Sequence, residues 1–273
     1  MRNLLMLFLV LSCSVWLFGC PGPTPERQEV VRSLRILGIR SEPPAARPGQ
    51  TIKLSALVAN PFDRTLRYRW LACKSRSQAN SGCANRNDAI SLGATAEVTY
   101  KVPENYVPAN ASAVDQFRGV YLPITLVVET DVDKEEAIKR VVISKLPTNK
   151  NPTIDKLEMF VTNQDKPLSE PWAYQPGTSY KIVPTISKDS FEDSLTLSPD
   201  GSVTVTQETM VLSWYITLGS LRGGRQSRDK SPSKTWISPG EGAVVPRTFL
   251  YVLMRDGRGG ITWIQRTLNR AQP

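Results

Sequence analysis

The chain has 273 residues, 34 Lys and Arg against 25 Asp and Glu, a net charge of +9 and no histidine. The missing imidazole excludes Ser-His-Asp and Cys-His catalysis, HExxH zinc sites and histidine pH switches at once. With 21 prolines and 17 glycines the composition argues against a helical protein, and the length suits one large or two ordinary domains.

The first element in the chain is a leader. Met1-Arg2-Asn3 is followed by an almost wholly apolar run, Leu4 to Phe18. That run falls short of the ~20 residues a spanning helix requires. A basic start, a short apolar core and the small Gly19 describe a secretion signal over residues 1–19. Leu17-Phe18-Gly19-Cys20 resembles the lipobox of bacterial lipoproteins, although Phe18 stands where Ala, Ser or Thr is usual. The resemblance implies cleavage before Cys20 and acylation of its sulfur. An ordinary cleaved signal with an incidental cysteine and an uncleaved anchor helix are the alternatives. Several acyl chains give stable anchoring where one gives only reversible binding.

Residues 20–32 then form a tether, with Pro21, Pro23 and Pro25 favouring an extended spacer. Residue 21 is not Asp. Under the enterobacterial sorting rule this makes the outer membrane of a bacterial envelope the expected destination. The membrane is thus an expected partner through the lipid. The positive charge favours anionic partners or reads as a plainly soluble surface, and the envelope location argues against nucleic acid.

From residue 33 the pattern has period two. In "QTIKLSALVAN", Ile52, Leu54, Ala56 and Val58 alternate with Thr51, Lys53, Ser55 and Leu57. "RTLRYRWLAC" places Leu66, Tyr68 and Trp70 on one face and Arg67 and Arg69 on the other. Such alternation marks strands with one buried face. "AEVTYKVP", "ITLVVET" and "AIKRVVISKL" continue the series, and short strands between turns read as a β-sandwich over residues 33–147. Cys73 and Cys83 are the thiols that remain after Cys13 leaves and Cys20 is lipidated. In an oxidising compartment they read as one disulfide, with two free thiols as the alternative.

Polar "LPTNKNPT" supplies a linker, residues 148–152, and the order then repeats over 153–273. "LEMFVT" takes the place of "LRILGI", Pro176-Gly177 that of Pro48-Gly49, and Trp214 that of Trp70. The closing hairpins "ITLVVETDVDKEEAIKRVVI" and "FLYVLMRDGRGGITWIQRTL" put Asp131 and Asp256 at matching places. The second copy is longer between its Pro-Gly and its Trp, and "KDSFEDSLTLSPDGSVT" accounts for the extra loop. The expected fold is therefore all-β: two tandem immunoglobulin-like β-sandwich domains after a lipoprotein signal peptide. "SEPPAARPGQTIKLSALVANPFDRTLRYRW" resembles the first half of immunoglobulin-like and PKD-like modules of uncharacterised bacterial surface lipoproteins. The WDFGDG-like PKD signature is missing after Trp70. The resemblance implies interaction and not catalysis.

Candidate contact residues follow from polarity and exposure. Arg222, Arg225, Arg228, Lys230 and Lys234 crowd a Gly- and Ser-rich stretch. They read as an anion or partner contact, since Arg grips oxyanions bidentately, or as a solvated loop. Trp172 and Tyr174 in "SEPWAYQPG" read as an aromatic platform for sugar or protein, or as a lid on the second module. Ser231-Pro-Ser-Lys234 matches the SxxK of penicillin-binding enzymes by chance, because Pro232 is incompatible with the helical turn that chemistry needs. Asp131, Asp133, Glu135 and Glu136, and likewise Asp189, Glu192 and Asp193, read as solvated turns and not as metal sites. No cofactor or metal is expected. The expected function is non-enzymatic docking of an envelope protein partner. Carbohydrate binding through Trp172, Tyr174 and Trp236 or Trp263 is the alternative.

Overall fold

The computed structural model describes residues 27–73, 83, 86–145, 149–197, 201–223, 226–227, 232–242 and 247–271. The first module contains β1 (Arg35–Glu42), β2 (Ala45–Ala46), β3 (Thr51–Ala59), β4 (Arg67–Cys73), β5 (Ala89–Gly93), β6 (Glu97–Lys101), β7 (Val120–Glu129) and β8 (Lys134–Ile143), with a six-residue helix α1 (Ala113–Arg118) before β7. Its sheets have the orders β1-β3-β6 and β2-β8-β7-β4-β5. The second module contains β9 (Ile154–Val161), β10 (Ala173–Tyr174), β11 (Ser179–Ile186), β12 (Asp193–Leu197), β13 (Val203–Gln207), β14 (Val211–Ile216), β15 (Ser220–Arg222), β16 (Gln226–Ser227), β17 (Lys234–Ile237), β18 (Arg247–Arg255) and β19 (Ile261–Arg270). Its sheets run β15-β17-β11-β9 and β10-β19-β18-β14-β16, and among the described residues β12 pairs only with β13.

In each module the first two long strands, β1 with β3 and β9 with β11, share one sheet with later strands. The strand bearing the central Trp lies beside the closing hairpin in the other sheet. This is the division of an immunoglobulin-like sandwich, and the fold is all-β as the alternation predicts. Trp70 and Trp214 are fully buried between their sheets, and the Trp70 indole donates to the Thr95 carbonyl at 2.9 Å.

The copies also share features that the sequence pattern hides. After its first long strand each module passes a cis Glu–Pro bond, Glu42–Pro43 and Glu170–Pro171, and crosses to the opposite sheet. There a two-residue strand pairs in parallel with the last strand of the module: β2 with β8, β10 with β19. Gly49 and Gly177 both turn with positive φ, 78° and 66°, ahead of β3 and β11. A side chain rarely adopts that region, whereas glycine does so without cost.

The hairpin comparison is off by one residue. Trp70 pairs with Leu126 and Trp214 with Val252, so the counterpart of Asp256 is Thr130 and not Asp131. Both side chains cap a turn. Thr130 Oγ1 accepts from the Asp133 amide at 2.9 Å, and Asp256 Oδ1 accepts from the Arg258 amide at 2.7 Å. A carboxylate and a hydroxyl can each cap backbone N–H groups in this way, so the role is preserved while the residue type is not.

The modules do not hang end to end. A third apolar cluster joins Val31, Leu37, Leu57 and Ala59 to Tyr215, Tyr251, Leu253 and Ile261. It lies between the outer face of the β1-β3 sheet and the outer face of the β14-β18-β19 sheet. Leu57, which alternation assigns to a polar face, is buried because that face meets the second module. Gly38 makes the close approach possible: a Cβ there would sit 2.7 Å from Ile261 Cδ1. Polar bonds fasten the same seam. Arg255 donates to the Leu37 carbonyl at 2.8 Å, and the Lys139 amine donates to the Gly259 carbonyl.

The segments expected as linker and tether take part as well. Asn151 donates to the Ser41 carbonyl at 2.8 Å and accepts from the Ile261 amide at 2.9 Å, bonding both modules with one side chain. Val30 forms a parallel bridge to Ile216. The Val31 amide donates to the Ile216 carbonyl at 2.8 Å. The residues just before the first module are thereby held against the second.

Candidate functional site

The sequence-derived candidates fare differently. Cys73 and Cys83 are bonded, with Cα atoms 5.3 Å apart, and close the end of β4 onto its loop. Cys20, Arg225, Arg228, Lys230 and Ser231 lie outside the described residues. Arg222 is exposed on β15. Lys234 is not part of a solvent-facing basic patch: it is buried in β17, and its ammonium donates to the Gly223 carbonyl at 2.8 Å. The lysine head satisfies a backbone acceptor across the β15–β17 pairing, so it is spent on structure.

The aromatic platform also falls away. Trp172 and Tyr174 are 2% and 1% exposed. The Tyr174 ring meets Trp236 edge-on at 5.2 Å, and Tyr180 stacks on Trp236 at 5.5 Å. Pairing of β10 with β19 draws both residues into the core, giving the lid and not the platform. Trp236 is itself fully buried and donates to the Leu218 carbonyl at 3.0 Å. Trp263 packs against the inter-module cluster.

Of the acidic candidates, Asp131 and Glu192 are ion-paired. Asp131 accepts from Arg64 at 2.9 Å, and that guanidinium holds its carboxyl below the usual aspartate range. Glu129, likewise lowered, pairs with Lys134 at 3.1 Å. Glu192 accepts from Arg258 at 3.1 Å and lies 3.6 Å from Lys150. Arg258 also bonds Glu208, whose carboxyl is pushed up by burial against the pull of that arginine. Among the described residues no group of three or more His, Cys, Asp or Glu could hold a metal ion.

The feature that pattern reading reduced to an extra loop is the most exposed apolar element among the described residues. β12 and β13 form a hairpin between β11 and β14 that pairs with no other strand among the described residues. Leu195 faces Val205 across the pair. Leu195, Val203 and Val205 are 60%, 52% and 65% exposed. The opposite face is a ladder of hydroxyls: Ser194 Oγ lies 3.1 Å from Thr206 Oγ1, and Thr196 Oγ1 lies 3.2 Å from the same atom. Residues 194–197 and 203–207 contain no ionisable side chain. Natural proteins blunt open strand edges with charges, prolines or bulges; from Ser194 to Leu197 and from Val203 to Gln207 there is no charge, proline or register shift, the one charge of the paired strands being Asp193 at the base. Its base, by contrast, is clamped. The Glu208 amide donates to the Glu192 carbonyl at 3.0 Å, and Arg258, reaching from the β18–β19 turn, binds both carboxylates. The signal was present in the sequence: "SLTL" and "SVTVTQ" alternate strictly about Pro199-Asp200-Gly201.

One cavity, of about 380 Å³, opens along the seam between Ile36–Ile39, Ala137–Lys139 and Gly257–Ile261. Burial pulls the Lys139 amine down to about 8, with Asp256 opposing the shift and Arg255 adding to it.

The fold defines a class, tandem immunoglobulin-like modules, the second of which carries an exposed apolar hairpin. No family model matches the chain, and no curated protein matches it. Among solved structures it is similar to the tandem Ig repeats of Dlar, at 9% identity and a TM-score of 0.27, over 88% of this chain and 99% of that one.

Proposed function

We propose that the chain is a non-enzymatic, lipid-anchored protein of a bacterial envelope, acylated at Cys20, that docks a partner protein through the β12–β13 hairpin. The carrying observation is that hairpin: a clamped base, edges without charge or proline beyond Asp193, and an aliphatic face left to solvent. A two-stranded ribbon is at best marginally stable in water by itself, and a partner strand laid along either edge supplies hydrogen bonds and covers Leu195, Val203 and Val205. Strand addition of this kind takes affinity from the main chain and specificity from alternate side chains. The glycan alternative is not advanced, because Trp172, Tyr174 and Trp236 are interior.

Two measurements test this reading. A photo-crosslinking residue at Leu195 gives a discrete adduct with one envelope protein in intact cells, and Val205→Lys abolishes co-purification of that protein without changing the melting temperature. A Val205→Lys chain that keeps its partner refutes the docking site. Labelled palmitate marks the wild type and not Cys20→Ser; equal labelling of the two refutes the anchor.

A further inference from the structure

Two turns at one end of the first module carry exposed apolar tips. Phe62, in the turn between β3 and β4, is 63% exposed, and Val132, between β7 and β8, is 62% exposed. Arg64 holds the turns side by side: its guanidinium bonds Asp131 at 2.9 Å and lies 5.7 Å from the Phe62 ring centroid. Capping by Thr130 and the side-chain amide of Asn60, which donates to the Arg64 carbonyl at 2.7 Å, fixes each turn. The tips are therefore set in place by polar bonds while their apolar side chains face water.

The same end is where the chain enters. Arg35 pairs with Ala59 at the start of β1, and its guanidinium donates to the Gln28 carbonyl at 3.1 Å. Val31 and Ala59 share the inter-module cluster, and the Tyr251 hydroxyl is bonded to the backbone of Asn60. Seven residue steps separate Arg27 from Cys20, a span of at most about 25 Å even when fully extended. The docking hairpin lies at the other end of β14, since its base is clamped beside Val211 and Arg255 whereas Val30 bridges Ile216. Val114, Phe117 and Tyr121, also exposed, open at the far end of the first module, where β7 begins.

We propose that the Phe62 and Val132 turns rest in the headgroup layer of the membrane that holds Cys20, which orients the chain with its β12–β13 hairpin pointing away from the bilayer. The inference rests on lipid anchoring at Cys20. The charges at this end nearly cancel, with Arg27, Arg32, Arg35, Arg64, Arg67 and Lys134 against Glu29, Asp63, Glu129, Asp131 and Asp133, so apolar burial and not net charge makes the contact. Aromatic and aliphatic side chains gain free energy by leaving water, and a short tether keeps them within reach of the surface.

The test uses the full lipidated chain in phosphatidylcholine vesicles containing a minor fraction of phosphatidylglycerol. An environment-sensitive fluorophore is attached at Val132→Cys and, in a second chain, at Leu195→Cys, and vesicle flotation is measured on both. The expected result is flotation of both chains, with blue-shifted emission and quenching by headgroup-proximal spin-labelled lipid at position 132 alone. Flotation with no shift at 132, or with equal shifts at 132 and 195, overturns the orientation and leaves the anchor standing. Failure to float overturns the anchor and the orientation with it. A label at Phe62→Cys repeats the measurement on the neighbouring turn should Val132→Cys fail to fold.

Discussion

Gly38→Val puts the seam between the modules to the test. Gly38 lies at the irregularity in the β1–β3 register. A Cβ at this position would stand 2.7 Å from Ile261 Cδ1 and 3.0 Å from Leu253 Cδ2. Carbon atoms pack best at about 3.5–4.0 Å, so the first added carbon already overlaps two side chains of the facing sheet, and valine adds two more. Either Leu253 and Ile261 leave their rotamers or the sheets part. Overpacking of this sort costs roughly 1–3 kcal/mol. For a protein of this size each kcal/mol moves the melting temperature by about 2–4 °C, which gives a fall on the order of 5 °C. If the sheets part, Leu37, Leu57 and Ala59 lose their cover, and the modules melt separately. Calorimetry is the assay: one transition in the wild type, a lower and broadened or doubled transition in Gly38→Val. Gly240→Val is the control, because a Cβ there meets nothing within 4 Å. A Gly38→Val protein that melts once, at the wild-type temperature, refutes a close-packed seam.

Lys139 makes the seam sensitive to alkali. Burial lowers its amine from the ordinary 10.5 to about 8, so between those values the unfolded chain holds a proton that the folded chain has released. Stability therefore rises with pH across that window, by at most about 3 kcal/mol from this group, and is flat below it. Urea titrations of wild type and Lys139→Met along a pH series check this: the difference between the two proteins carries the slope. Loss of the Cys73–Cys83 bond, by Cys73→Ser with Cys83→Ser, opens a short ring and costs about 2–3 kcal/mol on loop-closure entropy, read as a lower midpoint that reductant does not lower further. Arg258→Ala removes the cation between Glu192 and Glu208, leaving a buried carboxylate uncompensated. That costs roughly 1–3 kcal/mol, and protease cutting within residues 193–207 precedes global unfolding.

Several features were legible because they are local. The alternation of Ile52 and Leu54 with Thr51 and Lys53 follows from the two-residue period of a strand, whatever lies beyond it. The Pro-Gly turns, the tryptophan of the third strand and the Cys73–Cys83 bond are likewise set by neighbours near in sequence. Trp172 and Tyr174 were ambiguous for the opposite reason: their burial depends on β19, nearly a hundred residues later. Lys234 looked like a surface charge because nothing in its neighbourhood announces that the Gly223 carbonyl waits for its ammonium. In the β12–β13 hairpin the strand pattern was visible and its isolation was not, since that depends on which sheets fail to reach it.

The sequence by itself determined the all-strand modules and their inward faces, because inward packing is dictated by period and side-chain type within each strand. Only the tertiary structure decided what the outward faces do. Leu57 and Ala59 on one module, and Tyr251 and Leu253 on the other, read as the ordinary apolar surface that any folded protein retains. They become a core only when the two sheets are laid against each other, and Gly38 matters only because Ile261 arrives above it.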